Sequence, residues 1–148
     1  MIAWSQNLTR ENAEHHGAQL VSKEDLFRSS DFISIHLVLS ERTRGIIGGR
    51  ELDLMKPSAY IVNTSRGPLI DEKALIDALK NRRIAGAALD VFDIEPLPAD
   101  HPFRTLDNVL ASPHIGFVTR ESYKIFYAQT VENILAWLYG NPIRIIES

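Results

Sequence analysis

Residues 60–91 read YIVNTSRGPLIDEKALIDALKNRRIAGAALDV and contain one complete strand–helix–strand unit. Apolar runs at 60–63 and 84–91 flank a predicted helix over 72–82. Asp71 is a suitable N-cap for that helix, and Leu75, Ile76 and Leu79 form an apolar face at helical spacing. This arrangement is typical of a βαβ unit in a parallel sheet.

The same alternation extends along the chain in both directions. Further strands are predicted at 2–4, 19–21, 32–36 and 108–111, and further helices at 10–16, 23–28, 49–54 and 120–139. Thr9 and Ser22 are suitable caps for two of these helices, and Gly17 is a suitable stop for the first. The pattern predicts an α/β protein with a doubly wound parallel sheet and a long C-terminal helix.

The composition is that of one ordinary globular domain. The 148 residues include no cysteine and carry a net charge of −3, from 16 Lys and Arg against 19 Asp and Glu. Without cysteine there is no disulfide framework and no thiolate metal site, and we expect a cytoplasmic location. No apolar run is long enough for a membrane span, and no cluster of basic residues indicates a nucleic-acid or membrane partner. His15, His16 and His101 lack metal-ligand partners nearby, so no metal site is expected.

Polar side chains that follow three of the predicted strands form a candidate site. Arg66 follows the run 60–62, Glu95 follows 87–91, and His114 follows 109–111. Ligands of open parallel sheets bind beyond the carboxyl ends of the strands, so these three side chains are expected at one edge. Arginine offers a planar fork for a carboxylate, histidine exchanges protons near neutral pH, and glutamate can orient the imidazole. Taken singly, each is more often a surface group, a loop acid or a turn residue.

The segments around these residues resemble one family. They are Asn63–Gly67, Asp71–Glu72, 84–92, Glu95–Pro96 and Ser112–Gly116, and together they resemble the signature of the D-isomer-specific 2-hydroxyacid dehydrogenases over the whole chain. The resemblance implies an oxidoreductase that transfers a hydride between NAD(P) and C2 of a small 2-hydroxy or 2-keto acid. It also implies that Arg66 binds the substrate carboxylate and polarises the keto group, that His114 is the acid/base, and that Glu95 is its partner.

The resemblance also implies a set of cofactor contacts. Asp90 resembles the residue that meets the nicotinamide carboxamide, and the other implied contacts are Ser5, His36, Thr43, Asn63, Thr64, Ser65, His114 and Gly116. Here His36 is followed by Leu37 and Val38, whereas the family has a His-x-Pro segment. NAD is the expected cofactor. Ser5 stands where an acid for the ribose hydroxyls is expected and does not repel a 2′-phosphate, so NADP stays open. Ser5 is equally compatible with a plain helix-entry loop.

One part of the dinucleotide fold does not occur in this sequence. The resemblance places Met1 just before the second strand of the fold, so the first strand, its G-x-G-x-x-G turn and the substrate domain are expected upstream. Gly45, Gly48 and Gly49 do not follow a strand at that spacing and are no substitute. We therefore expect residues 1–148 to form a single truncated domain, a partial Rossmann-type sheet, with the helix at 119–140 packing toward the missing substrate domain.

The missing strand has consequences for partners. In the order 3-2-1-4-5-6 the first strand is central, so open apolar edges are expected at 2–4 and 32–36. Such edges predict a homodimer or a complementing N-terminal half. A second interpretation of the function is a catalytically inactive nucleotide-binding fragment or an interaction module of the same fold. The aromatic face of the final helix, Tyr123, Phe126 and Tyr127, is typical of core, and part of it is expected to be uncovered in this chain.

Overall fold

The computed structural model describes residues 1–146 and divides into two compact units, Met1–His114 and the chain from Ile115 onward. The strands are β1 (Ile2–Ala3), β2 (Gln19–Leu20), β3 (Phe32–Ile35), β4 (Tyr60–Asn63), β5 (Gly86–Leu89) and β6 (Val109–Ala111). The helices are α1 (Arg10–His15), α2 (Lys23–Ser29), α3 (Gly49–Leu54), α4 (Glu72–Lys80) and α5 (Arg120–Leu138). Single 3₁₀ turns occur at Gly67–Leu69 and Pro102–Arg104.

The strands of the first unit form two separate parallel sheets. One has the order β3-β4-β5-β6, and the other consists of β1 and β2 alone. In the larger sheet Ile61 pairs with Ile33 on one side and Ala87 on the other. The α/β class, the parallel strands and the gap between the second and fourth strands of the family order are therefore confirmed. Both β1 and β3 are edge strands at this gap.

The core lies on the four-stranded sheet. Leu52, Ile61, Leu69, Leu79 and Ile84 are completely buried. Their burial is the main stabilising contribution, at about 25 cal/mol per Å² of apolar surface removed from water.

The apolar face of α4 is rotated slightly from the predicted one. Leu75, Ala78 and Leu79 are buried, whereas Ile76 is only half-buried against the core. Ala78 is completely buried and takes the place in the buried stripe that was predicted for Ile76. The pattern identified the helix correctly and missed one member of the buried stripe.

Helix starts follow the predicted caps. Thr9 Oγ1 accepts from Asn12 N at 3.2 Å, Ser22 Oγ from Asp25 N at 3.0 Å, and Asp71 Oδ1 from Ala74 N at 3.0 Å.

Helix α4 and strand β5 both end two residues before their predicted ends. Helix α4 ends at Lys80, because Arg82 takes a left-handed conformation at φ 53°. Strand β5 spans Gly86–Leu89 and not 84–91, because its neighbour β4 pairs only over those four residues.

The second unit contains the long helix α5. Thr119 caps it by accepting from Ser122 N at 3.1 Å, and it ends one residue before the predicted boundary. Tyr123, Phe126 and Tyr127 are all exposed, so this face is not core in this chain. Within residues 1–146, no helix combines the length and the apolar character that a membrane crossing requires.

Candidate active site

The carboxyl ends of β4, β5 and β6 bring the predicted side chains to one edge of the sheet. Asn63 is the last residue of β4, and its carbonyl accepts from Asp90 N at 3.0 Å just beyond β5. Ser112 N donates to Leu89 O at 2.9 Å just beyond β6. The sheet hydrogen bonding thus continues into the site and fixes the backbone there.

Glu95 and His114 form a direct pair. His114 Nδ1 lies 2.7 Å from Glu95 Oε2, and the other carboxylate oxygen accepts from Phe92 N at 2.9 Å. His114 has φ of 54°, and its N–H donates to Ser112 O at 3.1 Å. A non-glycine residue rarely adopts this left-handed conformation, which places the imidazole over the carboxylate at a local conformational cost.

The pair is half-exposed, and its electrostatics favour a charged carboxylate. Burial raises the pKa of Glu95, but the hydrogen bonds from His114 and from Phe92 N–H outweigh burial and lower that pKa below its usual value. The positive charge of Arg66 lowers it further. Glu95 is therefore ionised near neutral pH, and its Oε2 can accept a hydrogen bond from an Nδ1–H of His114.

The Arg66 loop is held by the side chain of Asn63. This side chain is buried, donates from Nδ2 to Arg66 O at 2.9 Å, and accepts at Oδ1 from Ser65 N at 3.1 Å. Ser65 Oγ donates to Leu37 O at 2.6 Å and so ties the loop to the end of β3. The loop that carries Arg66 is therefore preorganised by the chain itself.

Gly67 links the Arg66 loop to the Glu95 loop. A Cβ at position 67 would lie 2.1 Å from the carbonyl carbon of Phe92, so only glycine allows the two backbones to approach this closely. Phe92 is also the residue whose N–H holds Glu95. The loop that carries Arg66 and the loop that carries Glu95 are thus in direct backbone contact at Gly67 and Phe92.

Asp90 is buried just before the loop that carries Glu95, and it accepts a short hydrogen bond from Ser112 Oγ. Sequence reasoning did not single out Ser112 as a site residue. The available signal was its position immediately after β6, within the segment that ends in His114.

The remaining predicted positions are placed less centrally. His36 shares a 2.8 Å hydrogen bond with Ser34 Oγ, and Thr43 Oγ1 donates to Val38 O at 2.7 Å within its own turn. Thr64 is exposed on the Arg66 loop, Ser5 follows β1, and Gly116 belongs to the second unit. Their cofactor contacts stay predictions.

The polar groups at this edge of the sheet suit the nicotinamide end of a dinucleotide better than its phosphates. Asp90 and Ser112 offer polar atoms that can pair with a carboxamide at the edge that carries His114. The helix that follows Gly48 is only six residues long, and its start is already capped because Glu51 Oε2 accepts from Gly48 N at 2.9 Å. The part of the chain that the structure describes contains no cluster of three or more side chains able to hold a metal ion.

Comparison with known proteins shows the family of this chain. The model of the D-isomer specific 2-hydroxyacid dehydrogenase NAD binding domain matches residues 1–116. A glyoxylate reductase of Aeropyrum pernix is 44% identical over 95% of this chain and 42% of its own length. A D-3-phosphoglycerate dehydrogenase of Methanocaldococcus jannaschii is 45% identical over 95% of this chain and 27% of its own length.

Solved structures give the same result. A phosphoglycerate oxidoreductase of Vibrio cholerae superposes with a TM-score of 0.86 at 35% identity, covering 94% of this chain and 45% of that one. A D-isomer specific 2-hydroxyacid dehydrogenase of Lactobacillus delbrueckii, solved in its NAD-complexed form, has a TM-score of 0.76 at 29% identity over 99% of this chain and 48% of its own. This chain thus spans less than half the length of these relatives, and it belongs to the D-isomer-specific 2-hydroxyacid dehydrogenase family through that family's NAD-binding domain.

Proposed function

We propose that this chain supplies the acid/base pair, the carboxylate-binding arginine and much of the cofactor site of a D-2-hydroxyacid dehydrogenase. The observation that carries the proposal is the 2.7 Å contact between His114 and Glu95, with Glu95 fixed by Phe92 N–H. Arg66 lies on the loop joined to this pair through Gly67. A histidine oriented by an ionised carboxylate, beside an arginine, is a suitable set for a 2-hydroxy acid.

In the oxidation of a 2-hydroxy acid, His114 acts on the hydroxyl proton. With Nδ1 held by Glu95, Nε2 of the neutral ring takes the proton from the C2 hydroxyl as the C2–H bond breaks. Glu95 stabilises the imidazolium that forms, and Arg66 binds the carboxylate and polarises the C2–O bond. NAD, when bound, supplies the two-electron acceptor for the C2 hydrogen. In the reductive direction His114 returns the proton to the keto oxygen.

Several of the residues that would hold the cofactor lie at or just beyond the ends of strands in the first unit. Asp90 would meet the nicotinamide carboxamide, with Ser112 fixing its carboxylate. His36, Thr43, Asn63, Thr64, Ser65 and Gly116 are the further cofactor-side residues of the proposal. Asn63 and Ser65 would act mainly by shaping the loop, since their side chains already hold its backbone.

Activity is expected only from a completed protein. No strand followed by a G-x-G-x-x-G turn occurs in residues 1–146, so the proposal assigns no pyrophosphate site of that kind to these residues. A complementing N-terminal half or a homodimer is the proposed partner, and a small 2-hydroxy or 2-keto acid is the proposed substrate. The second candidate function is a catalytically inactive nucleotide-binding or interaction module of the same fold. The cysteine-free sequence supports a cytoplasmic location.

The experiment is an NADH oxidation assay with glyoxylate, hydroxypyruvate and pyruvate. The chain is assayed alone and after fusion behind the N-terminal part of the Aeropyrum pernix relative. In the fusion, His114→Ala is expected to lower kcat by about 100- to 10,000-fold. Arg66→Lys is expected mainly to raise KM for the keto acid, because lysine cannot form the bidentate fork. His15→Ala and Arg50→Lys, on exposed surface of the first unit, are the matched controls.

Two outcomes would contradict the proposal. An unchanged kcat in His114→Ala removes His114 from the mechanism. A folded fusion that binds NADH but turns over none of the acids supports the non-enzymatic candidate.

The form of the cofactor is tested at Ser5. A solved structure described as an acyclic imino acid reductase in complex with NADPH is 34% identical to this chain, with a TM-score of 0.72, so a relative of this fold takes the phosphorylated form. In the fusion, Ser5→Asp should raise KM for NADPH relative to NADH by about fivefold, the equivalent of about 1 kcal/mol of repulsion. Ser5→Asn is the uncharged control. An equal change for both cofactors would place Ser5 away from the 2′ position.

A further inference from the structure

The loop that presents Glu95 to His114 spans residues 92–101 and has few backbone hydrogen bonds of its own. Its central stretch, 94–98, reads IEPLP, and the prolines at 96 and 98 have no N–H to donate. Among residues 1–146, no hydrogen bond joins the backbone of 93–97 to another backbone group. The hydrogen bonds that fix this stretch therefore come from side chains.

Arg104 donates two of these bonds. Its Nε donates to Pro98 O at 2.8 Å, and its Nη2 donates to Leu97 O at 2.7 Å. One planar guanidinium thus holds two consecutive carbonyl groups, at the second and third residues after Glu95. A rigid fork of this kind fixes the orientation of the backbone as well as its position.

Arg104 extends from a turn that is anchored in the core. It is the last residue of the 3₁₀ turn Pro102–Arg104, and Phe103 in that turn is buried. The centroid of the Phe103 ring lies 6.2 Å from that of Phe92, whose N–H donates to Glu95. The turn therefore packs against the start of the same loop whose middle Arg104 holds.

His101 ties the start of this turn to helix α4. Phe103 N–H donates to His101 Nδ1 at 3.2 Å, so Nδ1 carries no proton and Nε2 carries one. His101 Nε2 lies 3.1 Å from Glu72 Oε1 and donates to it, and Glu72 is in the first turn of α4. The turn from which Arg104 extends is consequently fixed at both of its ends.

We infer that Arg104 is a positioning residue for the acid/base pair, because it holds the backbone that carries Glu95 where the carboxylate meets His114. The inference rests on the proposed function, in which Glu95 orients His114. The bonds of Glu95 to Phe92 N–H and to His114 fix only its carboxylate end. Arg104 fixes the backbone end, through bonds to carbonyl groups and not to the reacting groups.

Loss of the fork should have two consequences. The backbone at 97 and 98 becomes free to move, and the carboxylate of Glu95 then meets His114 and Phe92 N–H for less of the time. Because those two bonds lower the pKa of Glu95, that pKa should return toward its ordinary value when they weaken. The acid/base step should slow as well, since catalysis depends steeply on the placement of the reacting groups.

The first measurement is a ¹³C NMR titration of the glutamate carboxyl groups in the 148-residue chain, with Glu95→Gln to assign the Glu95 signal. In Arg104→Ala the pKa of Glu95 should rise toward that of an exposed glutamate. In Arg104→Lys it should also rise, though less, because lysine keeps the charge but does not reproduce the two-nitrogen fork. Arg82→Ala is the matched control. Arg82 is likewise an exposed arginine with two hydrogen bonds, but these go to the carboxylate of Asp107, so the pKa of Glu95 should not change.

The second measurement is the NADH oxidation assay in the fusion with the N-terminal part of the Aeropyrum pernix relative. Arg104→Ala should lower kcat by about tenfold, because it misplaces the group that orients the acid/base. It should change KM for NADH and for the keto acid by less than about twofold, because Arg104 is assigned no contact with either. Arg82→Ala should leave all three values unchanged.

Three outcomes would overturn the inference. One is an unchanged pKa of Glu95 in Arg104→Ala. Another is full recovery of the parent pKa in Arg104→Lys, since the effect would then be one of charge and not of the fork. The third is an equal effect of Arg82→Ala.

The two measurements separate this inference from the proposed function. If the parent fusion turns over none of the acids, the proposed function fails and the NMR titration alone decides the role of Arg104. If the parent fusion is active and Arg104→Ala keeps its full kcat, the positioning role fails and the proposed function stands.

Discussion

The two sheets of the first unit differ in how far their strands are paired and buried. In the four-stranded sheet, β4 and β5 have neighbours on both sides, and Ile61 and Leu89 are 0% and 3% exposed. The strands of the two-stranded sheet are only two residues long, and Ile2 is only partly buried. A parallel strand is stable when both edges and both faces are covered, and β1 lacks one of these edges.

The proposed catalytic residues and the residue proposed to bear on the cofactor form extend from different sheets. Arg66, Glu95 and His114 all extend from the four-stranded sheet, where hydrogen bonds within the chain fix their loops. Ser5, the residue proposed to bear on the cofactor form, follows β1 of the two-stranded sheet. Hydrogen bonds within the chain therefore fix the loops that carry the residues proposed to handle the substrate.

The largest expected effect is on the free energy of unfolding, and it appears when one isoleucine of each sheet is replaced. Ile61→Ala should lower the free energy of unfolding by about 3 kcal/mol, because it leaves a cavity in a completely buried position. Ile2→Ala should cost about 1 kcal/mol or less, because its side chain is already partly in solvent. Urea denaturation of both variants measures the difference. Equal losses would mean that the two sheets are not energetically distinct.

A smaller effect is expected at the junction of the Arg66 and Glu95 loops. Gly67→Ala should lower the free energy of unfolding by about 2 kcal/mol, since its Cβ would collide with the backbone of Phe92. The control is Gly49→Ala, where a Cβ meets nothing within 4 Å. That variant should stay within about 0.5 kcal/mol of the parent in the same urea titration. A harmless Gly67→Ala would show that the two loops are not rigidly joined.

The smallest expected effect is the pH dependence that Glu95 gives to the free energy of unfolding. The folded-state pKa of Glu95 lies below its unfolded value, because the bonds from His114 and Phe92 outweigh the effect of burial. The stabilisation is therefore present above about pH 4.3, the unfolded pKa, and is lost as the pH falls through the folded pKa. It should be less than about 1 kcal/mol, since the side chains of His114 and Glu95 are 38% and 36% exposed.

Glu95→Gln is the variant that measures this contribution. Its stability deficit relative to the parent should be greatest near neutral pH and shrink as the pH falls below about 4. Thermal denaturation at a series of pH values follows the deficit. A deficit independent of pH would attribute the role of Glu95 to packing alone.

Much of the fold follows from local patterns. The sequence predicts helix caps at Thr9, Ser22 and Asp71, because each is a short polar side chain just before a segment with apolar residues at helical spacing. The strands were found because apolar runs between turn residues have few alternatives in an α/β chain. Boundaries were less accurate, as at β5, because the length of a strand is set by the neighbour with which it pairs.

The amino-acid sequence alone determined the family, the order of helices and strands, and the placement of Arg66, Glu95 and His114 after three strands, because these depend on local pattern and on chain order. Only the tertiary structure decided which atoms meet. Three hydrogen bonds depend on local conformation and on strand register. They join Phe92 N–H to Glu95, Asn63 Nδ2 to Arg66 O, and Ser112 Oγ to Asp90. The gap between β1 and β3 is likewise a property of pairing, because an unpaired edge exists only after the other strands have found their neighbours.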